Sequence, residues 1–212
     1  MSVQNAFIKT TVGVSIVYIS YILMIALLFS FAFFFDHNIF SIKKDSLTYD
    51  PAPFLLIGTL PMLIALVIVP TIFEVKIGNT QLRTIGFRLI GENRLVEVGT
   101  YVISIAILTF VIFSNFTMAM PVLIHFSVSC FGEELLFRGI LQRRMTESMN
   151  AILAIVLCSL IFAIGFHQDT SLIDNLLIRF PLGLIFGIIY YKTKNLLPCF
   201  MIHLAYNMLV SF

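Results

Sequence analysis

The sequence predicts an all-α fold, a polytopic bundle of about seven membrane-spanning helices with its chemically distinctive residues in the last four. Three observations lead there. Hydrophobic residues make up 59% of the chain and charged residues only 11%, giving a mean hydropathy of +1.03, far above soluble-protein averages. Uncharged windows of about twenty residues or more recur along the chain, and the Lys and Arg residues between them gather on alternate loops. Disorder, a collagen-like repeat, a disulfide scaffold and a soluble nucleic-acid binder are excluded by the same figures, since the net charge is only +2 and the aromatics are mostly Phe. The lipid bilayer is therefore the first expected partner and nucleic acid is not one; oligomeric state is not legible.

A helix rises about 1.5 Å per residue and the hydrocarbon core is roughly 30 Å thick, so uncharged windows convert to spans. The first covers about residues 10 to 35, too long for a signal-peptide core, and reads as a retained membrane helix. A polar loop ending in Pro51-Ala52-Pro53 separates it from the second, about 53 to 73. Residues 98 to 132 carry no charge, yet as one helix they would be about 52 Å long, so a break is required. Ser114-Asn115-Phe116-Thr117, followed by Pro121, is the place for it, giving a third span at about 98 to 115 and a fourth at about 119 to 142. The fifth runs from about 149 to 167, the sixth from about 173 to 191, and a short seventh begins near 195. The chain divides at residue 97, with two spans and a basic loop before it and the functional core, 98 to 212, after it. Cys130, Cys158 and Cys199 lie in apolar stretches without paired spacing and read as small buried hydrophobes.

With seven spans, one side holds nine cations, Lys9, Lys76, Arg83, Arg88, Arg94, Arg143, Arg144, Lys192 and Lys194, and the other only Lys43 and Lys44. Basic loops are retained in the cytoplasm, so the N-terminus is expected there and the C-terminus outside. Residues 75–97 mix Arg83, Arg88 and Arg94 with Ile85, Phe87, Leu89 and Ile90. An interfacial helix and a plain basic loop fit that composition equally.

Ionisable groups inside a membrane are costly, which makes each a functional candidate, with helix packing as the competing explanation. Glu133 and Glu134 adjoin one another in Gly132-Glu133-Glu134-Leu135-Leu136-Phe137-Arg138-Gly139. Glu134 and Arg138 stand at i and i+4 and can pair, which leaves Glu133, about 100° around the helix, without its own counter-ion and suited to act as a general base. Alternatively both carboxylates share Arg138 as a structural clamp. His203 and Asn207 share one face of the last helix; they suit a metal, a water or an oxyanion, or equally an interhelical hydrogen bond. His167 closes the fifth span. His125 and His37 read as structural, and Arg179 as a partner of Asp174 or Asn175 or the cap of a water network.

Taken together, GEELLFRG, a His about 30 residues later and HLAYN near the end resemble the CAAX protease and bacteriocin-processing (CPBP, or Abi) family of intramembrane proteases, whose signature is EExxxR, FxxxH and HxxxN on successive helices. The likeness runs through Pro181-Leu182-Gly183, Gly187, Tyr190-Tyr191, Asn195-Leu196 and Pro198, about residues 128 to 208. It implies that Glu133 activates water with His167 assisting, that His203 and Asn207 stabilise the oxyanion, and that Glu134 and Arg138 complete the first motif. A zinc ion held by Glu133, His167 and His203 and a metal-free glutamate mechanism both agree with the resemblance, and HExxH is absent. One departure stands out: Phe162 lies five residues before His167 rather than four, so a π-bulge near Gly165 is expected to return them to one face.

The expected function is therefore an integral-membrane endopeptidase opening toward the cytoplasmic half, with its catalytic core in the last four spans. Its substrate would be a membrane-associated peptide, a pheromone or bacteriocin-related peptide, or a prenylated CAAX-type protein. Small size and Phe/Ile richness point to a bacterial cytoplasmic membrane. A bacteriocin immunity or regulatory protein of the same fold, acting by partner binding, and a small transporter are the alternatives; no inverted repeat favours transport.

Overall fold

The computed structural model describes residues 3–34, 51–114, 116–165 and 171–212, without the side chains of 3–6 and 116–118. These residues form eight helices and no strand. They are α1 Val3–Phe34, α2 Phe54–Ile77, α3 Leu82–Ile85, α4 Arg94–Ser114, α5 Ala119–Thr146, α6 Ala151–Gly165, α7 Leu172–Thr193 and α8 Leu196–Ser211. Apart from the short α3, they correspond one for one to the seven expected spans, and the break in the long uncharged window falls between Ser114, the last residue of α4, and Ala119, the first of α5. Five are long and apolar enough to cross a bilayer. α6 and α8, with 15 and 16 residues, rise only about 22 and 24 Å.

Several turns are widened to π geometry, and three of them have a common cause. Leu60 donates its N–H to Leu55, Val69 to Ile64 and Phe180 to Asn175, each a five-residue reach made by the residue directly before a proline. Proline has no N–H and its ring collides with the carbonyl four residues back, and a wider turn relieves that collision without ending the helix. Two further widened stretches contain no proline: Phe73–Ile77 closes α2, and Leu135–Gln142 surrounds Arg138 and Gly139. Such bulges are frequent at functional sites.

One apolar cluster joins Val17 and Met24 of α1, Leu66 of α2, Phe137 and Leu141 of α5, Phe162 of α6, Phe186 of α7 and Cys199 of α8. It therefore crosses the division expected at residue 97. A smaller cluster packs Val111 of α4 and Cys130 of α5 against Met208 of α8.

The bundle end that collects the basic loops is tied shut. The fully buried Glu74 of α2 receives Arg143 at 2.8 Å and Arg144 at 2.5 Å, while Glu147 takes Lys9 of α1 at 2.7 Å and Arg143 at 2.9 Å. Residues 78–93 are neither of the two forms considered from sequence. The single short helix α3 leads into a loop that turns inward. Ile85 is fully buried, and Gly139 has no Cβ to oppose it; a Cβ there would lie 2.8 Å from the Ile85 side chain. Gly86 takes a left-handed φ of 113°, which lets its carbonyl accept from Leu196 N–H at 3.0 Å while Tyr190 Oη donates to Ile85 O at 3.0 Å. Glu97 completes the closure by accepting from Gly91 N–H at 2.9 Å and Asn195 Nδ2 at 2.7 Å. Leu89 and Ile90 remain exposed on the outer face of this loop.

Candidate active site

α5, α7 and α8 bring together most of the residues singled out in the sequence. A cleft of about 640 Å³ is lined by Glu133, Phe162, Arg179, Phe186, His203 and Asn207, with Met62, Phe126, Asp174 and Ser211 farther along it. Glu133 lies thirteen residues before Thr146, about 20 Å of helical rise from the basic end. Beyond it the lining continues to Asp174 and Ser211, at the opposite end of the bundle. At the basic end Ile85, Tyr190 and Leu196 fill the space between the helices.

Within the cleft the two adjacent glutamates are handled differently. Glu134 is fully buried and bridges two cations or potential cations: its Oε2 lies 3.2 Å from Arg138 Nε, the expected i, i+4 partner, and its Oε1 lies 2.9 Å from His203 Nδ1. The Arg138 contact meets an ion-pair distance but not hydrogen-bond alignment, since Glu134 Oε2 and Arg138 Nε both remain without a hydrogen-bond partner. We read it as a charge pair whose remaining support is softer: Arg138 Nη1 reaches Cys158 Sγ at 3.6 Å, and its guanidinium sits 5.2 Å over the Phe162 ring and 5.9 Å from that of Phe186. A carboxylate can only accept, so His203 Nδ1 carries the proton toward Glu134 and Nε2 points into the cleft.

Among the described residues Glu133 makes no ion pair with an arginine. Its Oε2 is buried without a hydrogen-bond partner among the described residues, and His203 Nε2 stands 3.8 Å away. Phe186 stacks on the His203 ring at 4.8 Å, with Phe162 edge-on at 6.0 Å, so the imidazole is fixed by packing on two sides and by Glu134 at Nδ1. One turn on, Asn207 directs Nδ2 to Cys130 Sγ at 3.2 Å, a weak acceptor, and its second amide N–H is left for another partner.

Of the expected site residues, Glu133, Glu134, Arg138, His203 and Asn207 come together; His167 lies outside the described residues. α6 is α-helical through Gly165, and residues 166 and 167, on which the expected wide turn also depends, lie outside the described residues. Phe162, not the neighbouring Ala163, faces His203. Arg179 lines the cleft and donates to Asn175 Oδ1 at 2.6 Å, one of the two partners expected for it. His125 is structural as read: it meets Thr59 Oγ1 at 3.0 Å and packs on Phe54. Two contributions were missed, the bridge from Glu134 to His203 and the seating of Asn207 on Cys130. Both cross between helices distant in sequence, where no spacing rule reaches.

No group of three His, Cys, Asp or Glu side chains converges as a metal set among the described residues. Glu133 and His203 are the two expected ligands present, and at 3.8 Å their facing atoms stand about half an ångström wider than the roughly 3.3 Å between neighbouring donors of a tetrahedral zinc with bonds near 2.0–2.1 Å. The pair does not fit zinc as placed.

A family model described as type II CAAX prenyl endopeptidase Rce1-like matches residues 114–209. No curated protein and no solved structure matches the chain.

Proposed function

We propose that the chain acts as a member of the Rce1-like family of type II CAAX prenyl endopeptidases, whose model matches residues 114–209, and that Glu133 activates the water. The observation that carries this reading is the unequal treatment of two adjacent carboxylates: Glu134 is held by Arg138 and His203, whereas Glu133 Oε2 has no hydrogen-bond partner among the described residues and faces the cleft.

The steps follow from the positions. Glu133 removes a proton from a water admitted to the cleft, and the water oxygen bonds to the scissile carbonyl carbon. The negative charge that develops on the carbonyl oxygen is met by the free amide N–H of Asn207 and by Nε2–H of His203, protonated because Glu134 stabilises its positive charge through Nδ1. When the C–N bond breaks, Glu133 returns the proton to the leaving nitrogen, giving a carboxylic acid and an amine. Arg138 offsets the charge of Glu134, so its role is to position His203 through that carboxylate. None of these steps is routed through a metal.

The apolar walls formed by Met62, Phe126, Leu182 and Val210 favour an amphiphilic substrate, whether a lipid-bearing C-terminal peptide or a short hydrophobic peptide. The test is a proteoliposome assay with a labelled peptide library containing prenylated and unmodified members. We expect new peptide termini in the wild type and none with Glu133→Ala. Flux of intact peptide without cleavage would mean transport instead, and binding with neither would mean an immunity or regulatory protein.

A further inference from the structure

At the basic end, which the Glu74 and Glu97 contacts seal, two hollows meet between α1 and α2. The first, about 370 Å³, is lined by Lys9 of α1, Thr80 just after α2, and Arg143, Arg144 and Glu147 where α5 ends. The second, about 290 Å³, is lined by Ile16 and Ile19 of α1 and Val69 and Pro70 of α2. Val12 and Phe73 belong to both, so the two form one groove, charged at its head and apolar along its length. From Lys9 to Ser20, the last lining residue on α1, the helix rises about 16 Å, close to one leaflet of a hydrocarbon core roughly 30 Å thick. The three hydroxyls along it, Thr11, Ser15 and Ser20, are uncharged, and Thr11 Oγ1 donates to Phe7 O of its own helix.

The head holds more cationic donors than its carboxylates use. Lys9, Arg143 and Arg144 bring three positive charges to two carboxylates, Glu74 and Glu147. Arg143 is fully engaged, with Nε on Gly139 O, Nη1 on Glu147 and Nη2 on Glu74. Arg144 gives Nε and Nη2 to Glu74 Oε1, so among the described residues its Nη1 has no partner, and Lys9 uses one of its three N–H groups, on Glu147. Gly13 lets Arg144 lie against α1: a Cβ there would stand 3.2 Å from Arg144 Cδ. We propose that this groove binds one anionic phospholipid from the leaflet at the basic end, its phosphate held by Lys9 and Arg144 Nη1 and an acyl chain laid along Ile16, Ile19, Val69 and Phe73. A free phosphate would satisfy the head and leave the apolar length uncovered, and a zwitterionic lipid would bring its own ammonium beside the excess positive charge.

The lipid site stands apart from the peptidase reading and does not rest on it. The chain contains no tryptophan, so a single one placed in the groove reports on that place alone. Ile19→Trp lies in the groove ten residues from Lys9, and Val102→Trp, eight residues from Arg94 on α4, is a control at similar depth; both positions are exposed. The full chain is reconstituted in phosphatidylcholine vesicles, and a brominated phosphatidylglycerol or a brominated phosphatidylcholine is added to quench the indole on contact. Ile19→Trp should prefer the phosphatidylglycerol by about fivefold or more, and Lys9→Gln added to it should cut that preference by about twofold or more without changing the melting temperature. Val102→Trp should show no preference, and millimolar inorganic phosphate should leave the quenching of Ile19→Trp unchanged. Absence of preference at Ile19→Trp, an equal preference at Val102→Trp, or a preference that Lys9→Gln leaves intact overturns the proposal. Displacement of the lipid by inorganic phosphate overturns it too, and assigns the head to a free anion.

Discussion

The sealed end and the cleft both place carboxylates in an apolar bundle, and they solve the problem in opposite ways. At the sealed end Glu74 has two arginines within 2.8 Å, and Glu97 accepts from a backbone N–H and an asparagine amide. In the cleft Glu134 has one poorly aligned arginine and a histidine, and among the described residues Glu133 has only the 3.8 Å approach of His203. A desolvated charge is tolerated when neighbouring groups replace its hydration, and a site that leaves one oxygen without a partner keeps that desolvation cost available for chemistry. The lesson is that two adjacent carboxylates in one apolar bundle can differ mainly in what their neighbours supply, and the proposed base is the one supplied least.

Variants can break this contrast, and Glu134→Gln should have the largest effect. It removes the charge that Arg138 and His203 share, so turnover should fall by about 10³-fold or more, and the buried Arg138, left uncompensated, should cost about 3–5 kcal/mol of stability. Detergent-solubilised melting curves alongside peptide turnover would register both losses. Asn207→Ala removes one oxyanion donor, and kcat should drop by about 10²–10³-fold while the melting temperature stays near that of the wild type. Glu74→Gln lies on the other side of the contrast: it should lower stability by about 3 kcal/mol, read by thermal melting, yet leave turnover per folded molecule unchanged.

The smallest effect belongs to the half-exposed Lys9–Glu147 pair. Partial burial raises the Glu147 carboxyl, but the hydrogen bond from Lys9 and the charge of Arg143 outweigh it and hold the group below its ordinary 4.5. A depressed carboxyl contributes stability above its unfolded pKa and loses it as the pH falls through the lower folded value. Lys9→Ala should therefore cost less than about 1 kcal/mol at pH 7, and the gap between variant and wild type should close as the pH falls below about 4.5. Melting curves across pH 3 to 7 would sharpen the comparison.

How much was legible in the sequence follows the same divide. Helices were readable because about twenty uncharged residues have one comfortable environment, and the break near Asn115 because 35 such residues are too many. The Glu134–Arg138 pair was readable because i, i+4 neighbours meet on any helix. What could not be read was lateral: that Glu74 would collect Arg143 and Arg144 across about seventy residues of chain, that Glu134 would hold His203, and that Ile85 would plug one end. The arginines that looked like loop charges serve a buried carboxylate, and only the packing of α2 on α5 decides that.

The central claim is that Glu133 moves the proton while Glu134 holds the site together, and Glu133→Gln tests it most directly. Gln keeps the size and hydrogen-bonding capacity of the side chain but cannot accept a proton as the carboxylate does. Purified Glu133→Gln in proteoliposomes should turn over peptide about 10³-fold more slowly than the wild type, with an unchanged melting temperature and intact insertion. Near-normal turnover by Glu133→Gln, with Glu134→Gln folded but inactive, would contradict the account and exchange the two roles.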